Sequence, residues 1–207
     1  MKNNRVINAW CMYDWANSVY SLVITTAIFP IYYNAVTTSS SGSDLVNFFG
    51  IEIVNSVLYS YSLSFSFLIL TFFQPILSGI ADFSGNKKLF LRLFMYLGSF
   101  ACMSLYFFDG NNVEFGIICS VIASIGFTGS LVFYNAFLPE IASEDDYDKI
   151  SARGYTFGYI GSVILLVICL ILIQMFDFFG FKDSKSATKF TFLLVGIWWI
   201  VFSQITL

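Results

Sequence analysis

The sequence predicts an all-α membrane protein that crosses the bilayer six times. Two observations carry this. Of 207 residues, 57% are hydrophobic and only 11% charged, with a mean hydropathy of +0.77, whereas a soluble domain runs nearer a quarter charged. The apolar residues also fall into six runs of about 20, the length needed to cross hydrocarbon as a helix. Barrel strands are about ten residues long and alternate strictly; these runs do neither. The 25 Phe and 12 Tyr add more apolar surface than a water-soluble globule hides.

The expected spans are 7–34, 55–80, 89–108, 115–138, 154–176 and 190–207, forming one bundle over 1–207. Before the first apolar run stand Lys2 and Arg5, but Asp14 interrupts that run and no small-residue cleavage site follows promptly. It is therefore read as a retained helix and not as a signal peptide. The fifth is the clearest: residues 163–173 read VILLVICLILI, and at roughly −0.3 to −0.6 kcal/mol each this run favours insertion by about 5 kcal/mol. The connections are short and polar. Residues 37–52 form a Ser-rich loop, 109–114 a tight DGNN turn, 139–153 the longest charged connection and 177–189 a mixed-charge loop.

Charge bias orients the bundle. With the N-terminus in the cytoplasm, Lys2, Arg5, Lys87, Lys88, Arg92, Lys149 and Arg153 lie inside, against Lys182, Lys185 and Lys189 outside. The expected location is an integral, multi-pass membrane protein with its N-terminus cytoplasmic, in the cell (inner) membrane if the source is bacterial.

Several function classes fall away. A net charge of −3 with ten Lys+Arg provides no basic surface for nucleic acid. With no histidine, the usual neutral-pH base and the commonest metal ligand are missing. Cys11, Cys102, Cys119 and Cys169 sit in apolar stretches without CxxC spacing and read as packing residues. No metal and no cofactor is expected. An intramembrane enzyme needs a convergent set of groups, and the spans offer only Asp14.

Polar groups inside a bilayer need a reason. In the first span Asp14, Asn17, Ser18, Ser21 and Thr25 recur every three or four residues, which places them on one helical face, opposite Val19, Ile24 and Ile28. Such a stripe lines a wet cavity, or else its hydroxyls bond back to their own helix and Asp14 sits among headgroups. The fourth span repeats the pattern with Ser120, Ser124, Thr128 and Asn135. In the second, Asn55, Tyr59, Ser62 and Ser66 share a face that fits helix packing and a cavity equally well. Gly154, Gly158 and Ser162 make a small-residue face for close packing of the fifth. Pro30 marks a kink late in the first span.

The loop Ser78-Gly79-Ile80-Ala81-Asp82-Phe83-Ser84-Gly85-Asn86-Lys87-Lys88 resembles the signature loop between helices 2 and 3 of the major facilitator superfamily, G-x-L-A-D-x-x-G-R-K. Gly85 permits positive φ in the turn, Asp82 can cap a helix or pair with a cation, and Lys87 and Lys88 hold the loop at the inner surface. Asn86 stands where that loop usually carries Arg. Three further stretches resemble the vacuole-effluxer-like branch of that superfamily: Tyr13-Asp14-Trp15-Ala16-Asn17-Ser18 with Ile28-Phe29-Pro30-Ile31-Tyr32-Tyr33, Phe133–Ile141 (FYNAFLPEI), and Ser151–Gly161 (SARGYTFGYIG). Many superfamily members carry an arginine within helix 4; none occurs here, so a proton relay built on it is not expected.

The resemblance implies the N-terminal half of a twelve-helix fold, with the C-terminal half absent and solute bound between the halves near the midplane. It implies a secondary-active transporter half moving a small solute by alternating access, with amino-acid efflux as the family's suggestion. The expected path residues are Asp14, Asn17, Thr25, Ser124, Thr128 and Asn135. Gly79, Asp82, Gly85, Lys87 and Lys88 form the latch loop, and Arg153 is a candidate cytoplasmic ion-pair partner for Glu140 or Asp14. The expected partners are the lipid bilayer, a small-molecule substrate, protons as coupling ion through Asp14, and the missing half or a second copy. The alternative is a non-transporting scaffold or split-transporter subunit.

Overall fold

The computed structural model describes residues 4–39 and 42–207, apart from the side chains of Asp82 and Ser84. Among the described residues six helical stretches are long and apolar enough to cross a membrane: Asn4–Thr37, Asn55–Ala81, Lys87–Phe107, Val113–Ile141, Glu144–Gln174 and Ser184–Ser203. All six expected spans are therefore present, several with longer polar ends. Lys2 lies outside the described residues.

The first span is not one regular helix. α1 (Asn4–Val19) passes into a π-helical stretch, Tyr20–Ile28, and then into α2 (Phe29–Thr37). Pro30 explains this better than a simple kink does. It has no N–H to offer the carbonyl four residues back, so the ladder beside it must rearrange. The Phe29 amide reaches the Ile24 carbonyl, five residues back instead of four. Widening the turn changes which side chains align: the Thr26 hydroxyl donates to the Ser21 carbonyl at 2.8 Å. Below Ser21 the polar stripe therefore continues at Thr26, where an ideal helix would have placed Thr25.

The connection read as a Ser-rich loop contains an antiparallel hairpin, β1 (Leu45–Phe48) with β2 (Ile51–Val54), pairing Leu45 with Val54 and Phe48 with Ile51. Val46, Phe48, Ile51 and Ile53 share one face, and Val46 is buried. Phe49 and Gly50 turn the chain with φ of 50° and 86°, the two positive values that a tight two-residue hairpin turn requires.

Next come α3 (Asn55–Ser84), α4 (Lys87–Ser104) and α5 (Val113–Ala136), then the short α6 (Leu138–Ile141), α7 (Tyr147–Gln174) and α8 (Ser184–Ser203). Glu114, in the first turn of α5, accepts the Phe49 amide at 3.1 Å and ties the hairpin down. The connection expected over 139–153 is largely helical, because α7 begins at Tyr147 and its polar first turn carries Asp148, a favourable charge at a helix N-terminus. α8 begins before its apolar run because Asp183 caps it: its Oδ1 accepts the Ser186 amide at 2.7 Å. That bond holds the Asp183 carboxyl below the usual carboxylate range. Gly85 turns the chain between α3 and α4 with φ of 65°, as its place in the signature loop requires.

α4 packs on α5 and α8, α1 on α7 and α8, and α3 on α5. Phe29, Tyr33, Phe108, Phe192 and Trp199 are fully buried between them. All four cysteines are buried and unpaired, as packing residues should be. α3 is the thinly packed member: only 11% of its apolar window is buried, against 50% in α5. Its polar stripe serves packing. The Asn55 amide donates to Asn34 Oδ1 and Thr37 Oγ1 at 3.0 Å each, and the Ser66 hydroxyl donates to Ser124 Oγ at 2.8 Å.

Asn55→Ala removes the hydrogen bonds to Asn34 and Thr37 at the start of α3, the second of them buried. The expected cost is about 1–3 kcal/mol, read as a lower thermal-unfolding midpoint of the purified protein in detergent; an unchanged midpoint contradicts this role.

Candidate functional site

The candidate site is a groove along the polar face of the first span. Its cavity of about 380 Å³ is lined from α1 and the π-helical stretch by Asp14, Asn17, Ser18, Ser21, Leu22 and Thr26. α5 contributes Phe127 and Leu131, and α7 contributes Tyr155, Tyr159 and Ser162. One wall is open, since Tyr155 and Tyr159 are 72% and 73% exposed.

The groove exists because α7 lies against α1 through a face without side chains. A Cβ on Gly154 would sit 2.5 Å from Asp14 Oδ2, and one on Gly158 would collide with the Ser18 hydroxyl. The small-residue face expected for packing is thus applied to the polar stripe itself. Here the two readings of these segments, packing and cavity, meet in one place.

Asp14 is 5% exposed and accepts the Tyr134 hydroxyl at Oδ2, 2.7 Å away. Tyr134 is held by Trp10, whose ring stacks on it at 4.2 Å and whose Nε1–H donates to the Tyr134 carbonyl at 3.0 Å. Asn17 is fully buried; its Oδ1 accepts a long bond of 3.4 Å from Ser18, and its Nδ2 has no partner. A buried amide with free N–H groups carries a desolvation cost that an acceptor on a bound solute would relieve. Among the described residues the lining contains one carboxylate and neither Lys nor Arg.

The structure brings only some of the expected path residues together. Asp14 and Asn17 line the groove, and Asn135 lines a smaller cavity of about 80 Å³ that shares Asp14, Leu131 and Tyr155 with it. Thr25 turns away, its hydroxyl buried, because the π-helical stretch shifts the register. Ser124 is bonded to Ser66 in the α3–α5 contact. Thr128 stands outside the lining, its hydroxyl buried without a partner. The ion pair also differs from expectation. Glu140 binds Lys87 at 2.8 Å, because antiparallel α4 and α5 bring the start of one beside the end of the other. Arg153 instead lies over the ring of Phe157, one turn on, at 5.8 Å. In the signature loop, Gly79 faces open space within α3, Lys88 lines a separate cavity, and the side chain of Asp82 lies outside the described residues.

Tyr134 and Trp10 are site residues that the sequence alone does not point to. Tyr134 is 120 positions from Asp14, and no spacing rule joins residues so far apart on different helices.

Six apolar spans around a polar groove define a multi-pass membrane protein. A profile of the family described as "Vacuole effluxer Atg22 like" matches residues 2–207, and the chain belongs to that family. It is 35% identical to the "Uncharacterized MFS-type transporter YxiO" of Bacillus subtilis over 95% of this chain and 44% of that protein. It is 24% identical to "Autophagy-related protein 22-1" of Penicillium rubens over 84% and 39%, and 24% identical to "Autophagy-related protein 22" of Pyricularia oryzae over 80% and 32%. The chain thus spans less than half the length of these relatives. No solved structure matches it.

Gly154→Ala drives a methyl group into Asp14 and is expected to cost about 1–3 kcal/mol by overpacking, seen as a lower melting midpoint in detergent. Gly79→Ala, with nothing within 4 Å, is expected to be neutral or slightly stabilising. Equal effects from the two would contradict the close α1–α7 contact.

Proposed function

We propose that this chain acts as the N-terminal six-helix half of a secondary-active transporter that moves a small solute by alternating access, in concert with a second six-helix half or a second copy of itself. The observation that carries this reading is the groove: a carboxylate, an unsatisfied amide and six hydroxyls, four aliphatic and two phenolic, converge on one open-sided cavity between α1, α5 and α7. Polar groups are costly at membrane depth unless they face water or a partner. Family membership supports the same reading, since the family is described as vacuole-effluxer-like and the Bacillus relative is named as a transporter.

The lining favours a solute of particular chemistry. A lone carboxylate without a balancing cation attracts an ammonium group and disfavours an anion. The open tyrosine faces can support the same cation. The free Asn17 amide suits a carbonyl or carboxylate beside the amine. A neutral amino acid has both features, so amino-acid efflux is the substrate reading we adopt. Asp14 is the proposed proton site, because a partly desolvated carboxylate exchanging its tyrosine partner for a solute can change its protonation. The Lys87–Glu140 bridge is proposed as part of the latch that loosens and reforms as the halves rock. The N-terminus is placed on the cytoplasmic side by the charge bias.

The test is counterflow of a radiolabelled neutral amino acid into proteoliposomes, by the chain alone and by the chain co-expressed with a second half. Exchange above that of empty vesicles supports transport; its absence in both preparations favours the scaffold alternative. In a transporting preparation, Asp14→Asn is expected to abolish the pH dependence of flux, and unchanged pH dependence rejects Asp14 as the proton site. Asn17→Leu is expected to weaken solute affinity by about tenfold through one lost hydrogen bond, measured as a raised KM.

A further inference from the structure

The groove is not the only space that reaches toward Asp14. A cavity of about 300 Å³ lies at the end of the bundle where the chain begins, lined by Val6, Ala9, Trp10, Lys88, Leu91 and Tyr134 among others. Trp10 and Tyr134 also line the small cavity that touches Asp14. That small cavity in turn shares Asp14, Leu131 and Tyr155 with the main groove. Three spaces therefore stand in series, and the Trp10–Tyr134 pair is common to the last two.

The geometry points to Tyr134 as the positioning residue of Asp14 and, with Trp10, as a partition that closes a second approach to that carboxylate from the Lys88 end. Three contacts make the partition a defined object. The rings lie 4.2 Å apart and 12° from parallel. The Trp10 indole N–H fixes the backbone of its partner at 3.0 Å. The Tyr134 hydroxyl closes on Asp14 at 2.7 Å, so the group that walls off the end cavity also holds the carboxylate. Tyr13 packs against the same ring at 5.2 Å and backs it from the bundle interior. Opening this approach requires the phenol to leave Asp14, so access and carboxylate position change in one movement. Such a partition gives a carrier a path for water to its carboxylate that does not run through the groove where solute binds. Gly154 and Tyr155 of α7, Trp10 of α1 and Tyr134 of α5 lie around Asp14, and the cation next along α7 from Gly154, Arg153, lies over the ring of Phe157.

This inference deepens the transport reading and rests on Asp14 as the working carboxylate of the groove. Its test, however, needs no flux. The chain in proteoliposomes is treated with a water-soluble carbodiimide plus an amine nucleophile, and amide formation at Asp14 is followed by peptide mass spectrometry. Tyr134→Ala is expected to speed Asp14 labelling by about tenfold or more, the equivalent of one lost closing contact. Tyr134→Phe keeps the plate and loses only the hydroxyl, so it is expected to label more slowly than Tyr134→Ala. A bulky maleimide on Val6→Cys, at the exposed rim of the end cavity, is expected to reverse the gain in Tyr134→Ala; the four native thiols are buried and do not compete. If Tyr134→Ala does not yield folded protein, Trp10→Leu opens the same partition and carries the same expectations. Labelling no faster than wild type in the opened variant, or a gain indifferent to the Val6 block, overturns the proposal. Failed counterflow with labelling as expected overturns the transport reading and leaves the partition standing.

Discussion

The structure turns on the contact between α7 and the first span. Hydrocarbon does not solvate hydroxyls, amides or carboxylates, so a helix with Asp14, Asn17, Ser18 and Ser21 on one face must find something to put against them. In this bundle that something is a helix with hydrogen in place of side chains at Gly154 and Gly158. Two consequences follow. α7 comes close enough to bury Asp14 against Tyr134, and its flanking residues Tyr155, Tyr159 and Ser162 are carried over the stripe to form the far wall of the groove. A larger residue at either glycine would hold the helices apart and remove the wall along with the burial.

The second determinant is Pro30. Its missing donor is felt upstream, where the ladder runs to the fifth residue back. The resulting register brings Thr26 into the groove and turns Thr25 out of it. π-helical turns are costly relative to α and occur chiefly where a function holds them. Here the widened turn lets one helix serve two ends: an upper half packed through Phe29 and Tyr33 into an aromatic core, and a lower half that lines the cavity.

How much of this was legible in the sequence differs from feature to feature, for physical reasons. The six spans were, because crossing a bilayer demands some 20 apolar residues and leaves a signal no single substitution hides. Gly85 was, because its turn needs positive φ. Asp14 and Asn17 were, because a three-to-four spacing is a local property of one helix. The hairpin was not: its four-residue strands are too short for their alternation to stand out, and a Phe at positive φ runs against every local preference. Thr25, Ser124 and Thr128 were misplaced because a polar stripe states which face is polar, not what it faces. Ser124 meets Ser66, and that choice is made by the packing of α3 on α5. The Tyr134–Asp14 bond and the Lys87–Glu140 pair are both products of helix neighbourhood, which a single sequence does not carry.

The groove's wetness, on which every later step depends, is most directly tested by cysteine reactivity along the first span, with the four native cysteines replaced. Single cysteines at residues 18, 19, 21, 24, 25 and 26 are exposed in membranes to a small charged thiol reagent that does not enter lipid. Reaction is expected at Ser18→Cys, Ser21→Cys and Thr26→Cys, and protection at Val19→Cys, Ile24→Cys and Thr25→Cys. Reaction at residue 25 with protection at 26 would restore the regular helix and contradict the register argued here; protection at all six would mean that no water-filled groove runs along this helix.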